Sequence, residues 1–95
     1  MLIDIHSHPD WLGHDVRKCV ANMDACGIDR TWILSWECPQ DEYDPSYNGP
    51  ILPAPGRFGP IPFERCLAYK TYAPDRFVLG YAPDPRRWDA LGAMQ

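Results

Sequence analysis

The sequence predicts an α/β domain built on a parallel sheet. Strand-like and helix-like runs alternate along its 95 residues, which is typical of parallel strands joined by right-handed crossovers. The predicted strands are nearly continuous apolar runs, which suits a sheet covered on both faces. No repeat or second domain is evident, so we interpret residues 1–95 as one unit with a modest core.

The first half predicts a strand, a helix and a second strand. Residues 2–8 open with the apolar β-formers Leu2, Ile3 and Ile5 and are expected to be extended. A helix is predicted over 15–26, because the apolar residues of "VRKCVANM" recur at i, i+3, i+4 and i+7. Gly27 stands where a helix terminator belongs. Residues 31–36, "TWILSW", then have the β-branched and aromatic composition of a strand.

A long connection follows the second strand. Residues 38–62 hold most of the chain's 11 prolines, together with several glycines and aromatic residues, so they predict no regular element. Loops of this length in compact domains are usually functional lids or disordered. The aromatic side chains favour an ordered lid, while the acidic residues leave a solvated excursion as the alternative.

The last third predicts a second helix, a third strand and the start of a third helix. Residues 63–73 have a helical apolar pattern that ends before a Pro-Asp pair. The strand is predicted over 77–82, "FVLGYA". Asp84 has the properties of an N-cap with Pro85 at the first helical position, so a further helix is expected to begin there.

Charge and cysteine spacing exclude several classes of protein. The formal net charge is −4, with Lys and Arg scattered, so we expect neither nucleic acid nor a membrane surface as a partner. The sequence shows no signal peptide and no bilayer-spanning segment, which predicts a cytoplasmic protein. The four cysteines lack CxxC spacing and are interpreted as reduced, mostly buried thiols, with a structural Cys/His zinc site as the alternative.

The opening stretch "LIDIHSHPDW" carries the clearest chemical signal. On a strand, His6 and His8 project to the same side with backbones about 6.6 Å apart, so that both imidazoles can reach one ion. On a helix they would splay about 200° apart. Asp4 shares the parity of His6 and is expected to point inward beneath the metal, where it could accept a hydrogen bond from the His6 ring. A salt bridge to a neighbouring strand is the alternative.

Other candidates should gather at the same edge, because ligands bind outside the carboxyl ends of parallel strands. Trp36 could wall a pocket, and Glu37 could contact substrate or, as the more ordinary role, anchor the loop. Trp11 could line the pocket or pack on the first helix. Arg57 could pair with a substrate carboxylate or lie on an exposed rim. His14, at the start of the first helix, is a weaker candidate for metal.

Three stretches, "IDIHSH", "NMDACGIDRTWILS" and "APDRFVLGYAPDP", resemble the amidohydrolase superfamily, and within it the amidohydrolase-related group that includes aminocarboxymuconate-semialdehyde decarboxylase. The resemblance covers nearly all of the chain. The family fold is a TIM-type (β/α)₈ barrel of roughly 250 residues or more. The resemblance therefore implies that this chain is the N-terminal portion of such a barrel, truncated after about three units.

The resemblance implies that His6 and His8 are the first two ligands of a divalent metal, usually Zn²⁺. The remaining ligands and a proton-transferring histidine would lie beyond Gln95. The implied reaction is hydrolysis of a small, carboxylated, carbonyl-type substrate by metal-activated water, with a non-oxidative decarboxylase or other carbon–carbon lyase as the alternative. The 95 residues alone are expected to bind metal weakly, to be inactive and to self-associate through unpaired strand edges.

Two further hypotheses stay open. Metal phosphoesterases of the polymerase-and-histidinol-phosphatase and TatD-like families also begin with HxH, although "MDACGIDRTWILSW" fits the amidohydrolase-related pattern better. Alternatively, the chain is a small free-standing α/β binding or assembly module in which the histidines are incidental.

Overall fold

The computed structural model describes residues 1–10, 14–39 and 61–95. In these ranges a three-stranded sheet has the order β1-β2-β3, with both pairings parallel. The α/β class with a parallel sheet is therefore confirmed. No helix in the described ranges is both long and apolar enough to cross a membrane. The elements are β1 (Ile3–Ser7), α1 (Val16–Cys26), β2 (Arg30–Leu34), α2 (Phe63–Tyr72), β3 (Phe77–Gly80) and α3 (Ala90–Ala93).

Helix α1 is bounded by the residues that the sequence indicated. The Asp15 carboxylate accepts the backbone N–H of Lys18 at 2.9 Å, which satisfies one of the donors left over in the first turn. At the other end Gly27 adopts φ 70°, a left-handed conformation that glycine takes without strain. The predicted glycine terminator is confirmed.

The core lies on one face of the sheet, between the strands and the two longer helices. Its centre comprises Met23 of α1, Ile33 of β2, Tyr69 of α2 and Phe77 of β3, each at most 2% exposed, together with buried Cys66. The expectation of a sheet covered on both faces is wrong for the described residues. We call the face opposite the helices the open face.

The open face carries apolar side chains. Trp32 lies between two buried residues of β2 and is 45% exposed, and Ile5 of β1 is 72% exposed. Burying such surface is favourable at about 25 cal/mol per Å². In the described residues, apolar surface on this face therefore stays exposed, and its burial against another element or chain would be favourable.

At the amino-terminal edge of the sheet, Arg76 fastens the turn between α1 and β2 to the start of β3. Its guanidinium donates to the backbone oxygens of Asp29 at 3.0 Å and Ile28 at 2.9 Å, and pairs with the Asp24 carboxylate at 2.8 Å. This cluster lies at the end of the strands away from the two histidines.

The third helix begins later than predicted. Asp84 is not its N-cap, because Asp89 holds that position. The Asp84 carboxylate instead accepts the backbone N–H of Arg86 at 3.0 Å and pairs with the Arg86 guanidinium at 2.9 Å. This pairing lowers the pKa of Asp84 from its ordinary value. A turn therefore occupies the predicted first helical positions, and the four-residue α3 starts at Ala90.

A pair of identical substitutions tests the difference between the two faces. Ile33→Val should lower the free energy of unfolding by about 1 kcal/mol, because it removes a methylene from a fully buried position. Ile5→Val should change it by less than about 0.5 kcal/mol, because Ile5 is largely exposed. Urea denaturation followed by circular dichroism measures both. Equal losses would show that the open face is covered in solution.

Candidate metal centre

An irregularity in the pairing of β1 with β2 determines where the histidines point. Asp4 pairs with Thr31 and Ser7 pairs with Ile33. Between these two pairs β1 advances by three residues, whereas β2 advances by only two. Laterally paired residues lie on the same face of a sheet, and Thr31 and Ile33 are buried on the helix side. Ser7 therefore lies on the helix side, and its neighbour in β1, the exposed His6, turns to the open face.

The two histidines next to Ser7 meet at the carboxyl end of β1. The ring centroids of His6 and His8 are 5.2 Å apart, with planes inclined at 72°. His6 is exposed and His8 is half-buried. The convergence of these rings matches the geometry predicted from their spacing.

A hydrogen bond to β2 orients the His8 ring. His8 Nδ1 lies 2.9 Å from the backbone oxygen of Leu34. A carbonyl oxygen can only accept, so Nδ1 carries the hydrogen, and the neutral ring keeps its lone pair on Nε2. Metal-ligating histidines commonly have this arrangement, with one nitrogen bonded to a backbone carbonyl and the other presented to the ion.

The environment of His8 favours its neutral form. Burial is the largest effect and lowers the pKa of His8 below its ordinary value; the bond to Leu34 opposes this, and charge on His6 adds to it. A metal competes with protons for imidazole nitrogen, so a lowered pKa leaves the ring available at neutral pH.

Asp4 does not lie where regular strand alternation predicts. The pairing irregularity leaves it on the helix side with Thr31, at a cleft of about 180 Å³ that Cys19 and Asn22 of α1 also line. Its carboxylate accepts the backbone N–H of His6 at 3.1 Å. The contact that the structure shows is therefore with the His6 backbone and not with its ring.

Trp36 borders the histidine pair. Its ring centroid lies 6.2 Å from that of His8. Its backbone forms an antiparallel bridge with Ile61, with N···O distances of 2.9 and 2.7 Å. This bridge joins the flanks of the long predicted connection beside His8. Residues 40–60, which include Arg57, lie outside the described residues, as does Trp11.

Glu37 makes the contact expected of a loop anchor. Its carboxylate pairs with Arg87 at 3.3 Å, and Arg87 also donates to Asp89 at 3.0 and 2.8 Å. The Arg87 guanidinium thus links the end of β2 to the segment that follows β3. A role for Glu37 in contacting substrate stays a prediction.

One part of the site was not found from the sequence. Asp10, which follows the histidine pair, receives two hydrogen bonds of 2.7 Å from the Arg65 guanidinium. Tyr69 joins the same cluster. Arg65 and Tyr69 are four residues apart on α2, so they share one helix face. The sequence could have indicated that Arg65 and Tyr69 share a face, but it could not identify Asp10, 55 residues away, as their partner.

The described residues supply two candidate ligands and no more. In residues 1–10, 14–39 and 61–95, no group of three or more His, Cys, Asp or Glu side chains is arranged to hold a metal ion.

The thiols of Cys19, Cys26 and Cys66 form no disulfide, and of these only Cys66 is buried. The expectation of mostly buried thiols is therefore wrong for these residues. Burial raises the pKa of the Cys66 thiol to about 11.

Comparison with known proteins gave no match: no family model, curated protein or solved structure is detectably similar to this chain.

The burial of His8 predicts a pH dependence of stability. Because burial lowers the pKa of His8, the unfolded chain binds more protons than the folded one just below the ordinary histidine value of about 6.5. The free energy of unfolding should therefore decrease as pH falls from about 6.5 to the folded-state pKa. Nitrogen-15 NMR should show His8 protonated at Nδ1 and titrating below 6.5. A ring protonated at Nε2, or one titrating above 6.5, would contradict this description.

Proposed function

We propose that this chain is the N-terminal part of a metal-dependent hydrolase of the amidohydrolase-related group, with His6 and His8 as two ligands of one divalent ion, most simply Zn²⁺. The observation that carries the proposal is the convergence of the two rings at 5.2 Å, one of them oriented by the Leu34 carbonyl. Neutral imidazoles are ordinary zinc ligands, so the residues fit such an ion.

The arrangement of the sheet supports a barrel. The strand order follows the chain order, and both longer helices pack on one face. A (β/α)₈ barrel is wound in this way, with helices outside and the active site at the carboxyl ends of the strands. The histidines and exposed Ile5 and Trp32 would then face the barrel interior, where further strands would cover them.

The chain's own residues contribute binding and orientation. A divalent ion polarises a substrate carbonyl and lowers the pKa of water, which is the chemistry that hydrolysis of a small carboxylated substrate requires. His8 stays neutral and fixed by Leu34, and Trp36 supplies an apolar wall at 6.2 Å from the His8 ring. The free thiols of Cys19 and Cys66 suit a reducing cytoplasm.

Two imidazoles are fewer ligands than a zinc enzyme needs. Catalytic zinc sites use three protein ligands and keep one position open, so the proposal requires further ligands from strands beyond the three described. A coding sequence that continues in frame with additional histidines and a late aspartate would supply them. The 95 residues alone should bind metal weakly and show little or no turnover.

A non-catalytic α/β module is the second candidate. It is favoured by the lack of a third ligand among the described residues. In such a module the histidines would be incidental, and neither would affect metal uptake.

Metal titration separates the two candidates. His6→Ala and His8→Ala should each weaken binding of Co²⁺ or Zn²⁺ by about tenfold or more, because each removes half of the ligand set. His14→Ala is the comparison variant: His14 is exposed and lines the same cleft as His8, but it is not a member of the ring pair, so the proposal predicts unchanged binding. Isothermal titration calorimetry and Co²⁺ absorption provide the measurements.

Equal binding by all four proteins would remove the basis of the metal proposal. So would a loss confined to His14→Ala, which would place the ion elsewhere.

The barrel proposal predicts that isolated chains associate through the open face. Ile5→Lys should weaken association by about tenfold, since it replaces an exposed apolar side chain on that face by a charge. Leu91→Lys, at an equally exposed position on α3, is the control and should have little effect. Sedimentation velocity over a concentration series measures both. A wild-type chain that stays monomeric throughout would argue against the barrel.

A further inference from the structure

We propose that Arg65 and Tyr69 are positioning residues for the metal pair, acting through Asp10. We call these three residues the Asp10 clamp. The inference rests on the proposed function, because it concerns the same two histidines. Its physical basis is a set of contacts between α2 and the chain immediately after His8.

The clamp is closely bonded and partly shielded from solvent. Arg65 Nε and Nη2 donate to the two carboxylate oxygens of Asp10, each at 2.7 Å, and the Asp10 side chain is 17% exposed. Two parallel bonds of this kind fix orientation as well as distance. The Asp10 backbone N–H also donates to the Tyr69 hydroxyl at 2.8 Å.

The Tyr69 hydroxyl bonds to both sides of the connection between β1 and α1. It accepts from Asp10 and donates to the backbone oxygen of His14 at 2.9 Å. Tyr69 is 1% exposed, and burial raises the pKa of its hydroxyl, so the donor is retained at any pH of interest. One buried group therefore sets the distance between the two flanks of the connection that carries Trp11.

The backbone conformation of Asp10 indicates that the clamp holds this residue in an uncommon conformation. Asp10 has φ 60°, the only positive φ of a non-glycine residue in the described ranges. Such a conformation is uncommon for a residue with a side chain, and it is retained where surrounding contacts favour it. The bonds from Arg65 and Tyr69 are contacts of this kind.

Only Pro9 separates the clamp from His8. Pro9 is fully buried, and its ring restricts φ, so little freedom remains between the two residues. His8 is thus held in two ways. Its ring bonds to the Leu34 carbonyl, and the backbone that follows it is fixed at Asp10 by Arg65 of α2. Metal ligands need positions accurate to roughly 0.5 Å. Opening the clamp should let the end of β1 shift and lower metal affinity without removing a ligand.

The test compares arginine substitutions at two edges of the sheet. Arg65→Met keeps the length of the side chain and removes the paired bonds, and it should weaken Co²⁺ binding by about tenfold, as loss of a supporting contact commonly does. Arg65→Lys keeps the charge and should recover part of the loss. Arg76→Met removes a comparable cluster at the opposite edge, and folded protein of this variant should bind as the wild type does.

A second readout needs no metal. The nitrogen-15 shift of His8 Nδ1 reports its bond to Leu34, and Arg65→Met should move that shift while Arg76→Met should not. Thermal unfolding monitors the fold of each variant separately. If Arg65→Met does not fold, Tyr69→Phe replaces it, because this change keeps the buried ring and removes only the hydroxyl.

The outcomes separate the clamp from the proposed function. Folded Arg65→Met or Tyr69→Phe protein with wild-type affinity and an unmoved His8 shift would overturn the clamp and leave the metal site standing. A wild-type chain that binds no metal would overturn the proposed function, and the His8 shift would still decide whether the clamp orients the ring.

Discussion

The pairing of β1 with β2 is the constraint on which the site depends. Between Asp4 and Ser7, β1 uses one more residue than the partner strand. Strand side chains alternate strictly, so a one-residue offset exchanges the two faces for every residue beyond it. Without the offset, both histidines would point to the helix side with Asp4. With it, the exposed His6 turns to the open face, and its ring meets that of His8 at the carboxyl end of β1.

Residues at and just after the carboxyl end of β2 form the hydrogen bonds that surround the histidine pair. The Leu34 carbonyl orients the His8 ring, the Ser35 hydroxyl accepts the backbone N–H of Ala82 at 2.8 Å, and Trp36 pairs with Ile61. Buried polar groups need such partners, and satisfying them rigidifies the edge. The edge that carries the histidine pair is thus held by directional bonds, whereas the helix-side face of the same strands is held by apolar packing.

Local sequence signals predicted the parts of the fold that depend on neighbouring residues. The span of α1, its glycine terminator and the proximity of the two histidines all follow from spacings within a few residues. The parity argument for Asp4 failed because it assumed a regular strand. The pairing of Asp10 with Arg65 spans 55 residues, and the turn at Asp84 competed with a helix start that looks equally good locally. Long-range contacts and local competition of this kind leave no trace in periodicity.

The proposed metal site requires that both rings hold one ion at once. Pulsed electron paramagnetic resonance of Cu²⁺ bound to the wild-type chain counts the imidazoles coordinated to each ion. The geometry at the carboxyl end of β1 predicts two imidazoles on a single Cu²⁺, falling to one when either His6 or His8 is replaced. A single imidazole per ion in the wild type, or two separate ions per chain, would contradict it.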